Sequence, residues 1–286
     1  MIFNFIMYMC GAFFCRYGKT GGYFMSCSIR GMLAVLALMF IITPSLARAE
    51  ELTGTDVITK MRLRPDGDDR KGTVSMTLVN RRGAKRVRVM EQIAKDYGMD
   101  RKAIIVFKEP ADVRGTKFLS WTYDAPGRDD DKWLYIPSMK KVRRISGSAN
   151  NDFFMGSDFT YDDIDMGRRN VSKDTHTYLG EDMRGVYECW KVESIPVDKD
   201  DPVRRRVLWV DKKTCIPVYL EYYTDQGLSR VYEVLELQQQ QGFWNVKSAR
   251  MRNLETEHQT LMEFSPFVYD SGVDDNLFQV AVLQRG

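Results

Sequence analysis

Residues 72–83 read GTVSMTLVNRRG, and this stretch decides the fold class. Val74, Met76 and Leu78 are apolar and alternate with the hydroxyl side chains of threonine and serine. An alternation with period two is typical of an antiparallel strand with one buried and one solvated face. The Asn-Arg-Arg-Gly sequence that follows is typical of a turn between two strands. The stretch therefore predicts a strand and the hairpin that it enters.

The same pattern recurs along the chain, in β-branched and aromatic runs that end at Gly, Asn, Asp or Pro. These runs predict about a dozen strands with short connections. They lie at residues 72–79, 86–93, 102–107, 116–123, 132–136, 141–145, 175–179, 186–197, 204–210, 216–224, 229–237, 243–251 and 257–264. A sheet of this size twists and curls. The predicted fold is therefore mainly β, a large curled antiparallel sheet that forms an unclosed half-barrel around a pocket.

Helical patterns are few and short. Residues 53–63 have an amphipathic pattern that Thr53 can cap. A second short helix is predicted at residues 158–164, and a final turn begins at Asp274 or Asp275. These pieces can cover the mouth of the curled sheet.

Residues 1–49 have the organisation of a secretory signal peptide. Arg30 precedes an apolar run over residues 31–42, and Ala47-Arg48-Ala49 follows it. The run is shorter than the roughly 20 residues that a membrane-spanning helix needs. We predict cleavage after Ala49, export to the periplasm, and a single domain over residues 50–286. The apolar residues 1–24 are either an over-long start assignment or a second membrane-inserting segment.

The charge of the predicted mature chain is nearly neutral. The signal segment holds four of the 42 basic residues and none of the 39 acidic ones. Both signs are interspersed in the remainder, which gives no electrostatic reason to expect nucleic-acid binding. The basic excess of the whole chain therefore belongs to the export signal.

Two of the five cysteines, Cys189 and Cys215, follow the predicted signal. In an oxidising compartment, two cysteines in strand-like segments are candidates for a disulfide. Two separate buried thiols are the alternative, because the distance between them cannot be read from sequence. Their spacing is not Cys-x-x-Cys, which argues against a metal or redox pair.

No catalytic constellation is present in the sequence. His176 and His258 are the only histidines, and neither has a metal-ligand neighbour at helical spacing. A Gly-x-Ser-x-Gly elbow, a phosphate-binding loop and a His-Glu-x-x-His motif are all missing. The acidic residues between 158 and 165 lack the spacing of an EF-hand. We therefore predict neither an enzyme nor a cofactor or metal.

Three motifs carry a family resemblance: WLYIP at residues 133–137, KVRRI at residues 141–145 and FMGSDFTYDD at residues 154–163. FKEPADVRGT at residues 107–116 and LWVDK at residues 208–212 add to it. With these motifs the chain resembles the outer-membrane lipoprotein-sorting protein family, a branch of the LolA-like superfamily. The resemblance extends through most of residues 53–278.

The resemblance implies a half-barrel of the LolA/LolB type, with helices as a lid over an apolar cavity. It also implies a carrier that binds a lipid or the acyl chains of a lipoprotein and releases it towards the outer membrane. Transient membrane contact and an inner-membrane transporter of the RND type would accompany that role. The alternatives are a periplasmic adaptor subunit of such an exporter and, more distantly, an enzyme.

Large apolar side chains on the predicted strands and in the loop at residues 147–164 are the candidates for lipid binding. They are Trp121, Trp133, Tyr135, Phe153, Phe154, Met155, Phe159 and Leu220. The loop and the helix at residues 53–63 are the candidate covers, because a Met and aromatic residues among Gly, Ser and Asn suit an adaptable apolar surface. The alternatives are a core filled by its own side chains and a loop that plugs the sheet permanently.

Overall fold

The hairpin predicted from residues 72–83 is present. In the computed structural model, which describes residues 51–284, strand β1 spans Asp69–Val79 and strand β2 spans Lys85–Tyr97. The side-chain oxygen of Asn80 accepts hydrogen bonds from the backbone N–H groups of Arg82 and Ala84, at 2.9 and 3.0 Å. The three apolar residues that define the alternation are buried. The predicted signal peptide lies outside the described residues.

Fourteen strands form one antiparallel sheet. After β1 and β2 they are β3 Asp100–Glu109, β4 Lys117–Thr122, β5 Asp131–Ile136, β6 Lys141–Ile145, β7 Asp174–Arg184, β8 Tyr187–Pro196, β9 Arg205–Asp211, β10 Pro217–Thr224, β11 Gly227–Gln240, β12 Phe243–Asn253, β13 His258–Phe264 and β14 Val268–Tyr269.

The order of the strands leaves the sheet open. Neighbours run β6-β5-β4-β3-β2-β1-β13-β12-β11-β10-β9-β8-β7, and the short β14 pairs with β1. The sheet is thus two meanders joined where β1 pairs with β13. Within residues 51–284, β6 and β7 are the two edges and do not pair with each other. The predicted unclosed half-barrel is confirmed.

Residues 146–173, here called the crossing segment, connect edge strand β6 to edge strand β7. Its regular structure consists of short 3₁₀ turns at Gly147–Asn151, Phe154–Gly156, Asp163–Arg168 and Val171–Lys173. The helix predicted at residues 158–164 is wrong. The N–H of Phe154 donates to the carbonyl of Phe159 at 2.6 Å, so the chain folds back on itself here. Within the predicted range, helical structure begins only at Asp163.

Helix α1 spans Gly54–Arg62 and confirms the first predicted helix. Thr53 caps it through a capping box with Asp56. A Cβ atom on Gly54 would lie 2.8 Å from backbone atoms of β7, so the missing side chain permits very close packing. Among residues 51–284, no helix is long and apolar enough to cross a membrane.

Buried side chains cover both faces of the sheet. Two core clusters, both of which include Met262 as a peripheral member, lie on the face that meets α1 and the crossing segment, here called the cavity face. A third cluster, around Ile104 and Leu119, lies on the opposite face. The C-terminal 3₁₀ turns Asp275–Phe278 and Val280–Val282 cover it. The first of these turns begins at Asp275, as predicted, and Asp274 caps it.

Candidate functional site

A cavity of about 170 Å³ lies between the cavity face and the crossing segment. Its apolar walls include Val74 of β1, Met90 of β2, Ile105 of β3 and Met262 of β13. A cavity of about 150 Å³ holds one benzene molecule. The space seen here therefore accommodates a few carbons of an acyl chain, and a whole chain requires the crossing segment to move.

The four lipid-binding candidates of the crossing segment, three phenylalanines and one methionine, lie in three different environments. Phe154 and Phe159 are buried and line the cavity. Phe154 packs edge-on against Phe118, with ring centroids 5.4 Å apart. Met155 is half-buried and packs against the core cluster that contains Phe154 and Phe118. Phe153 is 47% exposed. Two of these four candidates therefore form the roof of the cavity directly.

Trp121, Trp133 and Tyr135 lie on the opposite face of the sheet, which differs from the placement expected for a lipid pocket. They pack under the C-terminal segment in the third cluster. The indole N–H of Trp121 donates to the carbonyl of Phe278 at 2.9 Å, and the two tryptophan rings meet at 4.9 Å. These three side chains do not line the cavity.

Leu220 is buried on the cavity face in β10, but it lines a second, smaller cavity of about 40 Å³. That space is shared with Ile58 of α1 and with His176. The two ring nitrogens of His176 bond to the hydroxyl of Ser194 at 2.8 Å and the carbonyl of Val171 at 3.0 Å. The histidine thus ties the end of the crossing segment to β8.

The acidic residues of the FMGSDFTYDD motif anchor the crossing segment to the sheet. The Asp158 carboxylate accepts from the hydroxyl of Thr260 at 2.6 Å and lies 2.8 Å from Nδ1 of His258, both on β13. Asp162 pairs with Lys132 at 3.2 Å and with Arg169. Within residues 51–284, no group of three or more side chains is arranged to hold a metal ion.

Asp163 and Arg230 form a further anchor. Arg230, on β11, pairs with the Asp163 carboxylate and donates to the carbonyl of Asp158 at 2.9 Å. Burial opposes ionisation of Asp163, but the charge of Arg230 and the hydrogen bond from the N–H of Thr160 outweigh it. Together they lower the pKa of Asp163. The pair is therefore ionised at neutral pH and holds the middle of the crossing segment.

Asp66 is the centre of an arginine cluster at the cavity. Its carboxylate pairs with Arg168 at 2.6 Å, Arg101 at 3.0 Å and Arg70 at 3.2 Å, and Arg64 lies 3.9 Å away. Burial raises the pKa of Asp66, but these cations reverse the effect and bring it down to about 2. Because Arg168 belongs to the crossing segment, the cluster also fastens that segment to β1 and β3.

Cys189 and Cys215 are free thiols in the structure. Cys189 is fully buried in β8, while Cys215 is partly exposed in the turn before β10. The N–H of Cys215 donates to the carbonyl of Asp211, the residue that pairs with Cys189 in the sheet. Whether the two thiols pair in an oxidising compartment stays a prediction.

The cationic side chains of the cavity are missing from the residues proposed from sequence. Arg70 and Arg101 fall just before the strands predicted at residues 72–79 and 102–107, so they were assigned to no face. Continuing the alternation two steps back from Val74 reaches Arg70, and doing so from Ile105 reaches Arg101. The alternation thus extends to both arginines, but the predicted strands begin three and two residues after β1 and β3 do.

Comparison with known proteins places the chain in a family. A family model described as an uncharacterized protein matches residues 99–285. The crystal structure of a DUF1329 family protein from Desulfovibrio piger has 30% sequence identity and a TM-score of 0.75, covering 80% of this chain and 97% of that one. The chain belongs to the DUF1329 family.

Two further solved structures are similar to this DUF1329 protein. A domain proposed to sort outer-membrane lipoproteins, from Vibrio parahaemolyticus, is 28% identical, with a TM-score of 0.75 and coverage of 81% of this chain and 98% of its own. A LolA superfamily protein from Nitrosomonas europaea is 18% identical, with a TM-score of 0.61 and coverage of 80% and 99%. The predicted LolA-like fold is confirmed. A comparison with curated proteins found no match.

Proposed function

We propose that this protein is a periplasmic carrier that binds a lipid, or the acyl chains of a lipoprotein, beneath the crossing segment. The observation that carries the proposal is the apolar cavity, whose roof is a single segment held to the sheet largely by side chains. Binding and release are sufficient for such a role, and no bond chemistry is required. Delivery towards the outer membrane is the direction that the family resemblance supports.

The physical need for a carrier follows from the hydrophobic effect. One acyl chain of roughly 16 carbons resists transfer into water by on the order of 12 kcal/mol. A dry groove removes most of that barrier, provided that a cover opens for loading and release. The small cavity and the ionic anchors of the crossing segment fit a cover that opens when a few side-chain contacts break.

Transient membrane contact and an inner-membrane RND-type transporter remain part of the proposal. Lys140, Lys141 and Arg143 are exposed at edge strand β6, where cations can approach anionic head groups. The transporter rests on the family resemblance alone. An adaptor subunit with a permanently plugged sheet is the second candidate, and the small size of the cavity is the observation that favours it.

Native mass spectrometry of protein purified gently from periplasm, followed by lipid extraction, tests the proposal. We expect a bound acylated molecule at stoichiometric level. If the purified protein is free of lipid and also does not bind added fluorescent fatty-acyl probes, the adaptor function is favoured.

A cavity-filling variant makes this test specific. Ala249 is buried and lines the cavity, so Ala249→Phe should occupy its space and sharply reduce probe uptake. The overpacking should cost about 1–3 kcal/mol of stability, which circular dichroism and urea unfolding would measure. Ala84→Phe, at the exposed hairpin turn, adds the same side chain away from the cavity and should bind probe normally.

A further inference from the structure

The cavity is lined by apolar side chains in one part and by arginine side chains in another. Arg64, Arg70, Arg101 and Arg168 line it together with apolar residues such as Ile105 and Phe267. Arg70 and Arg101 project from β1 and β3 on the same face as the apolar wall. The guanidinium of Arg70 lies 5.7 Å from the ring of Phe267, where the cationic and apolar parts meet. The cavity is therefore amphipathic.

The positive charge of this cluster exceeds the negative charge that faces it. The four arginines are accompanied by three carboxylates, Asp66, Asp96 and Asp165. Asp163 also lines the cavity, but its charge is matched by Arg230. Arg168 bridges Asp66 and Asp96, and Arg101 pairs with both of them. One positive charge remains without a matching carboxylate. A buried charge without a counterion is costly, so the cluster favours an added anion.

Arg70 is a member of the cluster with an unused hydrogen-bond donor. Its Nε is buried and has no hydrogen-bond partner within residues 51–284. Burial of its guanidinium and repulsion by Arg101 lower its pKa to about 10, although Asp66 offsets part of this effect. A carboxylate or phosphate would give such an arginine a further negative charge and an acceptor for its free N–H group. The planar guanidinium group suits these anions because it can donate two parallel hydrogen bonds to them.

We propose that the arginine cluster binds the anionic head group, a carboxylate or a phosphate, of an amphiphile whose apolar tail occupies the rest of the cavity. This inference rests on the carrier function proposed above. It narrows the cargo from acyl chains in general to amphiphiles with a negative charge, and it orients the head group towards β1 and β3.

Equilibrium binding of four labelled probes at submicellar concentration tests the inference on the protein purified from periplasm. Hexadecanoate and hexadecyl phosphate carry an anionic head, hexadecan-1-ol has the same chain without charge, and inorganic phosphate has the charge without a chain. We expect the two anionic amphiphiles to bind at least about tenfold more tightly than the alcohol, as hydrogen bonds to charged groups allow.

Variants at Arg70 connect that preference to the cluster. Arg70→Gln should weaken hexadecanoate binding about ten- to a hundredfold and leave hexadecan-1-ol unchanged, because only the charge and the fork are lost. Arg70→Lys keeps the charge and should recover part of the affinity. Arg81→Gln, at the exposed hairpin turn, removes the same charge elsewhere and should bind all probes like the original protein.

The outcomes separate the two proposals. Equal affinity for hexadecanoate and hexadecan-1-ol would overturn the head-group site and leave the carrier standing. Failure of every chain-bearing probe to bind would overturn the carrier, and the head-group site with it. Binding of inorganic phosphate as tight as that of hexadecyl phosphate would show a small-anion site with no role for the tail. Preference for the anionic amphiphiles that Arg70→Gln abolishes supports the inference.

Discussion

Replacing Arg230 with Met would show whether the crossing segment is a lid or a permanent plug. The substitution keeps a long apolar side chain but removes the cation that holds Asp163 and the carbonyl of Asp158. The side chains of Arg230 and Asp163 are each 7% exposed. A carboxylate left unpaired in such a place costs about 3–5 kcal/mol.

Which measurement shows the cost of the unpaired Asp163 carboxylate depends on whether the crossing segment can open by itself. A lid can open and return the Asp163 carboxylate to water without unfolding the sheet. Where opening costs the original protein less than this penalty, the variant rests mainly open, and amide hydrogens of residues 152–168 should exchange up to about a hundredfold faster. Unfolding of the sheet then loses only the free energy of opening, so the urea midpoint and the exchange in β1 and β2 should change by less than the full penalty. Hydrogen-exchange mass spectrometry of peptides from both regions measures this directly.

Two further variants control this experiment. Arg250→Met removes a cation that pairs with Glu233 at 2.9 Å in a partly exposed position, and such a pair contributes about 0–1 kcal/mol. Adding Asp163→Asn to Arg230→Met removes the stranded charge and should restore slow exchange in part. If Arg230→Met instead lowers the urea midpoint by the full amount and speeds exchange equally in β1 and β2, the segment is a plug and the lid argument fails.

Three other predictions concern acid stability, thiol chemistry and helix packing. Asp66, with its pKa near 2 against the ordinary 3.8, should add about 2 kcal/mol of stability above about pH 4 that is lost as pH falls towards 2. Urea unfolding should show the gap between the original protein and Asp66→Asn narrowing on acidification, and a constant gap would contradict this. Burial raises the pKa of the Cys189 thiol to about 12, so iodoacetamide should label Cys215 first in native protein. If both cysteines stay unlabelled after unfolding without reductant, they form a disulfide. Gly54→Ala should destabilise the protein despite the gain of about 1 kcal/mol in helix propensity, because its Cβ would meet the β7 backbone at 2.8 Å. Gly167→Ala, with no atom within 4 Å of the added carbon, is the matched control, and equal stability of Gly54→Ala and the original protein would refute the contact.

Local patterns predicted the strands and the first helix well, because their causes are local. The alternation in residues 72–79 specifies a strand with one buried face wherever that strand is placed. Thr53 and Asp56 form a capping box within one turn of chain. The conformation of the FMGSDFTYDD motif does not follow from local pattern. Asp158 bonds to His258 and Thr260, about 100 residues away along the chain. No local pattern contains that partner, so the fold-back of the segment was mistaken for a helix.

Residue patterns alone predict a large open antiparallel sheet, in which Trp121 shares a face with Leu119 and Trp133 shares a face with Tyr135. Which face meets the cavity depends on the three-dimensional arrangement of the whole chain. Both faces are apolar because both are covered, one by the crossing segment and the other by the C-terminal turns. Period two sorts residues into two sets but does not say what covers each set, because that depends on contacts between distant parts of the chain. The arginine cluster has the same origin, since residues from β1, β3 and the crossing segment meet at Asp66 only after the sheet has curled.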